Sequence, residues 1–182
     1  MINCGHWFLN RMVNVLVHKQ AKMFPVLILV ASQFDEEFVV RCLCQMRQQE
    51  INIWLVGLYP GLLTGINGVW LRPDESLADV DAVLQGQVPR LLILPGPDHC
   101  TLQLLLNPRV HELIEMTLAA GGLVAAVTAR TRDLLVRSGL VAPEAERCFL
   151  FQEHSPTGEF IEDLIVASSL TLPLVGTNRA AK

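Results

Sequence analysis

The sequence predicts an α/β fold: a doubly wound, mostly parallel sheet with helices on both faces. Three observations carry that prediction. Short, continuous apolar runs recur at Phe24 to Ala31 (FPVLILVA), Ile51 to Leu58 (INIWLVGL), Arg90 to Leu94 (RLLIL) and Leu123 to Val127 (LVAAV). Runs of that length without alternation are strands covered on both faces. Stretches with helical spacing of apolar residues fall between them, and strand–helix alternation implies right-handed parallel crossovers. Glycine and proline breaks, at Tyr59-Pro60-Gly61, Pro95-Gly96-Pro97 and Gly121-Gly122, separate the elements.

Composition narrows the classes. A chain of 182 residues suits one domain with a substantial core, and 51% hydrophobic against 18% charged residues is apolar but globular. No apolar run reaches the roughly 18 residues that a membrane-spanning helix needs, so no membrane partner is expected. The net charge of −4 and the lack of a basic stripe argue against nucleic acid. Five cysteines are present, and Cys42-x-Cys44 is too tight for a usual zinc knuckle. They read as reduced thiols of a cytoplasmic protein, with no metal and no cofactor expected.

The elements follow in order. Met1 to Lys22 stands apart as an N-terminal extension: it has cations at Arg11, Lys19 and Lys22, no acid, and a run of apolar residues. It is read either as an amphipathic helix or as an extension upstream of a true start at Met23, and the α/β domain is assigned to residues 23–182. Asp35 to Gln48 follows the first strand as a helix whose first turn holds Asp35, Glu36 and Glu37. After the second strand, Thr64 to Leu71 reads as a glycine-interrupted hairpin or a bent strand and Pro73 to Val80 as a short helix. The strand RLLIL runs into Pro95-Gly96-Pro97-Asp98, read as a loop that continues through His99-Cys100. Asn107 with Pro108 predicts a capped helix start. Leu123 to Val127 then turns at Thr128 into a helix carrying Leu134 and Leu135. Cys148 to Phe151 reads as a strand, Asp163 to Ala167 (DLIVA) as a last strand, and Ser168 to Lys182 as non-helical.

The strings VLILVASQFDEEF, RPDESLADV, LLILPGP and GGLVAAVTA, in that order over roughly Phe24 to Leu140, resemble the ThiJ/PfpI superfamily. The likeness is to the branch that contains the parkinsonism-associated deglycase. The resemblance implies a flavodoxin-like fold related to class I glutamine amidotransferases, and a homodimer. It also implies a cysteine nucleophile at a strand-to-helix elbow, a carboxylate from the first helix beside it, and backbone N–H donors from the loop after the LPG strand. Thr128 occupies the cysteine's position. Glu37 falls on the carboxylate, with Glu36 as the alternative register. Gly96 opens the oxyanion loop, but Pro97 stands where a second glycine is usual and has no N–H to donate. Ala129 follows the elbow, where some branches carry a histidine; Phe151 lies near the family's other histidine, with His154 a few residues on. The family's final helix reads as missing or altered.

A threonine hydroxyl needs a general base to act as a nucleophile. Glu37 is one candidate, and no histidine is evident. The competing reading makes Thr128 the cap of the following helix. Cys100 beside His99 is a relocated thiol candidate, set against an inert, partly buried cysteine. The expected function is a family member without the standard cysteine catalysis, acting as a binding or stress-related module for a small-molecule carbonyl or peptide ligand. The alternative is an active glyoxalase/deglycase-like or amidase/peptidase-like enzyme using Thr128 with Glu37, or Cys100.

Overall fold

The computed structural model describes residues 24–141, 149–152 and 156–169. The extension Met1 to Lys22, His154, Cys4, Cys148 and most of the tail lie outside them. Five strands, β1 (Val26–Val30), β2 (Ile53–Gly57), β6 (Leu91–Leu94), β7 (Leu123–Ala126) and β8 (Phe149–Phe151), join with the short β5 (Glu75–Ser76) in one sheet. Its order is β5-β2-β1-β6-β7-β8, and every pairing in it is parallel. The helices are α1 (Glu36–Gln48), α2 (Val80–Leu84), α3 (Asp98–Leu105), α4 (Pro108–Ala119), α5 (Ala129–Arg137) and α6 (Thr157–Ser169). A two-stranded antiparallel hairpin, β3 (Leu63–Thr64) with β4 (Trp70–Leu71), stands outside the main sheet.

The unbroken apolar runs become central strands because both faces are covered. All five residues of β1 and all four of β6 are buried. They form the middle of a core that takes in Phe38, Val39, Cys42 and Met46 from α1 and Val110, Leu113 and Ile114 from α4. The spacing of those helical residues puts them on one stripe facing the sheet. Asp35 caps α1 by accepting from the Phe38 N–H at 3.0 Å, and Asn107 caps α4 by accepting from the Arg109 N–H at 2.9 Å, with Pro108 at the first position.

Three local readings change. Pro73 to Val80 is not a helix throughout: Glu75 and Ser76 pair with Val56 and Gly57, and a 3-10 turn at Leu77–Asp79 precedes α2. Asp74 sets that edge, since its N–H donates to the Leu55 carbonyl and its carboxylate accepts from the Leu55 N–H. The loop expected through Asp98-His99-Cys100 is the first turn of α3, entered from Pro97. The run DLIVA is part of α6, whose buried residues Phe160, Ile161, Leu164 and Ala167 recur at helical spacing. A short apolar run cannot be assigned to strand or helix until the residues upstream of it are placed.

The strand order reverses between β1 and β6, so the switch point of the sheet lies there, one strand away from the turn at Thr128. Its carboxyl edge is bridged by two hydrogen bonds. The Asp35 N–H donates to the Gly96 carbonyl at 3.3 Å, and Gln103 Nε2 donates to the Ser32 carbonyl at 3.3 Å.

Candidate functional site

Three turns at the carboxyl ends of β1, β6 and β7 carry the candidate residues. The turn after β7 is closed by Thr128. Its backbone is extended (φ −127°, ψ 147°), and its Oγ1 accepts from the Thr131 N–H at 3.1 Å, which makes it the N-cap of α5. A nucleophile elbow is a sharp, strained turn; the backbone here is in an ordinary region, open to any residue. A second contact joins the same two side chains, Thr128 Oγ1 to Thr131 Oγ1 at 2.9 Å, and Thr131 continues to Thr101 Oγ1 on α3 at 3.1 Å. Thr101 and Thr131 are both fully buried. Neither was singled out from sequence. The spacing Thr128-x-x-Thr131 at a helix start was the available signal for one of them.

The turn after β6 lies against this one. Gly96 has φ +52°, and a Cβ there would sit 3.2 Å from Thr128 Cγ2, so glycine is needed for both conformation and room. Pro97 follows and offers no N–H. Across the top, Asp98 and Arg130 pair at 2.7 Å, joining the first turns of α3 and α5. Ala129 and Arg130 are exposed.

His99 and Cys100 point apart. His99 is exposed, whereas Cys100 is fully buried, its sulfur accepting from the Ala31 N–H at 3.4 Å. Burial pushes the Cys100 thiol up to about 11, against a smaller opposing effect of that N–H. Such a thiol is neutral at physiological pH and packs as a small hydrophobe. It lies on the inner face of α3, against the end of β1.

Of the two adjacent acids, Glu36 turns inward and Glu37 outward. Glu37, the residue preferred from sequence, is 72% exposed and pairs with Arg41 at 2.9 Å on the outer face of α1. Glu36 is 5% exposed and faces the hairpin. Its Oε1 accepts from the Asn67 N–H at 2.7 Å and more distantly from the Val69 N–H at 3.5 Å, while its Oε2 is buried with no protein partner. Burial alone would raise its pKa, but the backbone N–H groups of Glu36, Asn67, Val69 and Ile66 together outweigh it and hold the carboxyl below its usual range. Room for the side chain comes from Gly65, where a Cβ would stand 2.5 Å from the carboxylate. The turn leading into α1 is strained at Gln33 (φ 64°), whose N–H donates to the Thr64 carbonyl at 2.6 Å.

The structure therefore brings Gly96, Thr128, Thr131 and Thr101 together; Glu37 and His99 face solvent, and the Cys100 sulfur lies against the Ala31 N–H. Among the described residues no group of His, Cys, Asp and Glu has the arrangement of a metal site, and no helix is long and apolar enough to cross a membrane. Cys42 is buried, its thiol raised to about 12 by burial, and Cys44 is exposed, so the pair shares no face. His111 Nε2 lies 2.6 Å from the Leu105 carbonyl, a structural contact between α4 and the end of α3.

The fold matches solved structures at low sequence identity. DJ-1 from Toxoplasma gondii, in an oxidized form, superposes with a TM-score of 0.68 at 17% identity, covering 78% of this chain and 89% of that one. DJ-1beta from Drosophila melanogaster gives 0.64 at 20% identity, covering 79% and 89%. A cysteine-to-alanine mutant of a DJ-1 superfamily protein from Salmonella typhimurium gives 0.64 at 17% identity, covering 79% and 89%. No curated protein matches the chain. The DJ-1/PfpI family profile matches residues 25–148, which span β1 through α5 and the turn at Thr128, and the chain is a member of the DJ-1/PfpI family.

Proposed function

We propose that this protein is a DJ-1/PfpI family member without cysteine catalysis, a binding or stress-related module that takes a small-molecule carbonyl or peptide ligand at the Gly96–Thr128 turns. One observation carries the reading. The residue at the nucleophile's position is a helix cap on unstrained backbone, its hydroxyl already engaged by Thr131. The surroundings support it. Pro97 removes an oxyanion donor, and Cys100 is buried with a raised pKa. Glu36 spends one oxygen on the hairpin, and Glu37 faces solvent. An active enzyme would need a general base within reach of Thr128, and the buried neighbours of its hydroxyl are threonines.

We also propose a cytoplasmic homodimer. The hairpin and its approach expose Tyr59, Leu62, Ile66, Val69 and Trp70, a concentration of large apolar side chains suited to burial against another subunit. Sedimentation velocity reads the oligomeric state directly, and a monomer at micromolar concentration would remove this part of the proposal.

Purified protein is to be assayed with methylglyoxal, with p-nitrophenyl acetate and with a short fluorogenic peptide. The expected result is no turnover above buffer, and no difference between wild type and Thr128→Ala, Cys100→Ala or Glu36→Ala. Turnover that disappears in any one of these variants would overturn the non-catalytic reading and name the residue responsible.

A further inference from the structure

We infer that Thr101 and Thr131 are positioning residues that fix the Thr128 hydroxyl as a hydrogen-bond donor, so that this site selects ligands presenting an acceptor oxygen. This rests on the binding role proposed for the Gly96–Thr128 turns and specifies what that site recognises.

The direction follows from counting protons. A threonine hydroxyl has one proton to give and two lone pairs to receive with. Thr101 is fully buried, and the Thr131 hydroxyl is its one side-chain partner among the described residues. A buried O–H left without an acceptor is strongly disfavoured, so the Thr101 proton goes to Thr131 Oγ1. Thr131 is fully buried too, and its hydroxyl touches Thr101 and Thr128. With its contact to Thr101 used in accepting, its proton goes to Thr128 Oγ1. The opposite order would send the Thr128 proton inward and leave the Thr101 proton with nothing to meet. The outward order leaves no buried proton unspent.

At the end of the chain, Thr128 Oγ1 receives twice, from the Thr131 O–H at 2.9 Å and from the Thr131 N–H at 3.1 Å. Both lone pairs are then occupied. Its own proton is the one unspent group, and Thr128 is the only one of the three that reaches solvent. A hydroxyl in that state donates and does not accept, and it has no lone pair free to attack a carbonyl carbon. A Cβ at position 96 would stand 3.2 Å from the Thr128 methyl, so glycine there leaves room for the side chain in this rotamer. The recognised group is a carbonyl or carboxylate oxygen. An ammonium or other donor-only group finds no acceptor at this hydroxyl.

Neutron diffraction from perdeuterated crystals tests the proton order directly. The expected result is deuterium on Thr101 Oγ1 directed at Thr131, on Thr131 Oγ1 directed at Thr128, and on Thr128 Oγ1 directed to the open side. A deuteron on Thr128 directed at Thr131 overturns the inference. In solution, the Thr128 amide and methyl resonances are titrated with acetate and separately with methylammonium. A saturable shift with acetate and none with methylammonium is expected, lost in Thr128→Val, weakened in Thr131→Val and restored in Thr131→Ser. A saturable response to methylammonium, or to neither ion, overturns it. The proton order is read without reference to turnover. A reversed chain in an inactive protein sinks this inference alone, and turnover with an outward chain sinks the non-catalytic reading alone.

Discussion

The turn after β1 and the turn after β7 lie at the same edge of one parallel sheet, yet they are built oppositely. At β7 the backbone is relaxed and the Thr128 hydroxyl makes its contacts locally, receiving from Thr131. At β1 the turn is strained at Gln33, and the acid that follows has a buried oxygen with no protein partner. The two together teach that one sheet edge can carry a relaxed turn and a strained one a few strands apart. Backbone strain and a buried oxygen without a protein partner lie beside Glu36, whereas the Thr128 turn is relaxed and half-exposed. What holds the strained turn is the hairpin: Gln33 donates to Thr64, Ile66 donates to Phe34, and Asn67 donates to Glu36.

The largest expected effect breaks the strained side. Gly65→Ala puts a methyl 2.5 Å from a buried carboxylate, and a loss of about 3 kcal/mol of stability is expected from overpacking plus displacement of a buried charge, measured by urea unfolding. A stable Gly65→Ala protein with unchanged midpoint would mean the hairpin yields freely. Glu36→Ala comes next. It strands the Asn67 N–H, and a cost of roughly 2 kcal/mol is expected, with faster amide exchange at Asn67. Equal exchange in wild type and variant would remove the clamp.

The relaxed side responds less. Thr128→Ala deletes a cap and should cost about 1 kcal/mol, read from the thermal midpoint. A much larger loss would show that the threonine chain does more than cap. Glu37→Ala, on the solvent side of α1, is expected to stay within about 0.5 kcal/mol of wild type. The contrast between Glu36 and Glu37 in one denaturation series tests which acid faces inward.

Acid sharpens the same comparison. The Glu36 carboxyl is held below its ordinary value of 4.5, so the folded state binds this proton less readily than the unfolded chain. Its contribution is fully present above pH 4.5 and is lost as pH falls through the lower folded value. Hairpin amides Asn67 and Val69 should lose protection over that acidic range, and Glu36→Gln should flatten the dependence. Protection that stays constant in wild type down to global unfolding would contradict it. Thiol labelling gives the smallest readout. With Cys100 raised to about 11 and buried, iodoacetamide at pH 8 should modify the exposed Cys44 before Cys100, as mapped by mass spectrometry.

Much of the fold was legible in the chain because burial writes itself into composition. VLILV and LLIL have no polar residue to turn toward water, and such runs persist only as strands covered twice. Caps were legible for a similar local reason at Asn107-Pro108 and Thr128. DLIVA was misread because its helical neighbours lie upstream, across a proline and a glycine, where the periodicity is hard to join. The register of the acid was not legible either. Glu36 and Glu37 share a helix turn and differ by about 100° of rotation around its axis, which a sequence does not orient.

The sequence by itself determined the alternating layers, the order of the main elements, the threonine cap at position 128 and the proline at position 97. These follow from local chemistry: hydropathy, capping and the missing proline N–H. Only the tertiary structure decided that the Thr128 backbone is relaxed, that Cys100 turns inward, and that Glu36 closes on Gly65. It alone joined Thr101 to Thr131, residues 30 positions apart on separate helices. Such facts depend on how helices rotate and dock against one sheet, and contacts between distant segments leave no period or spacing in the chain that encodes them.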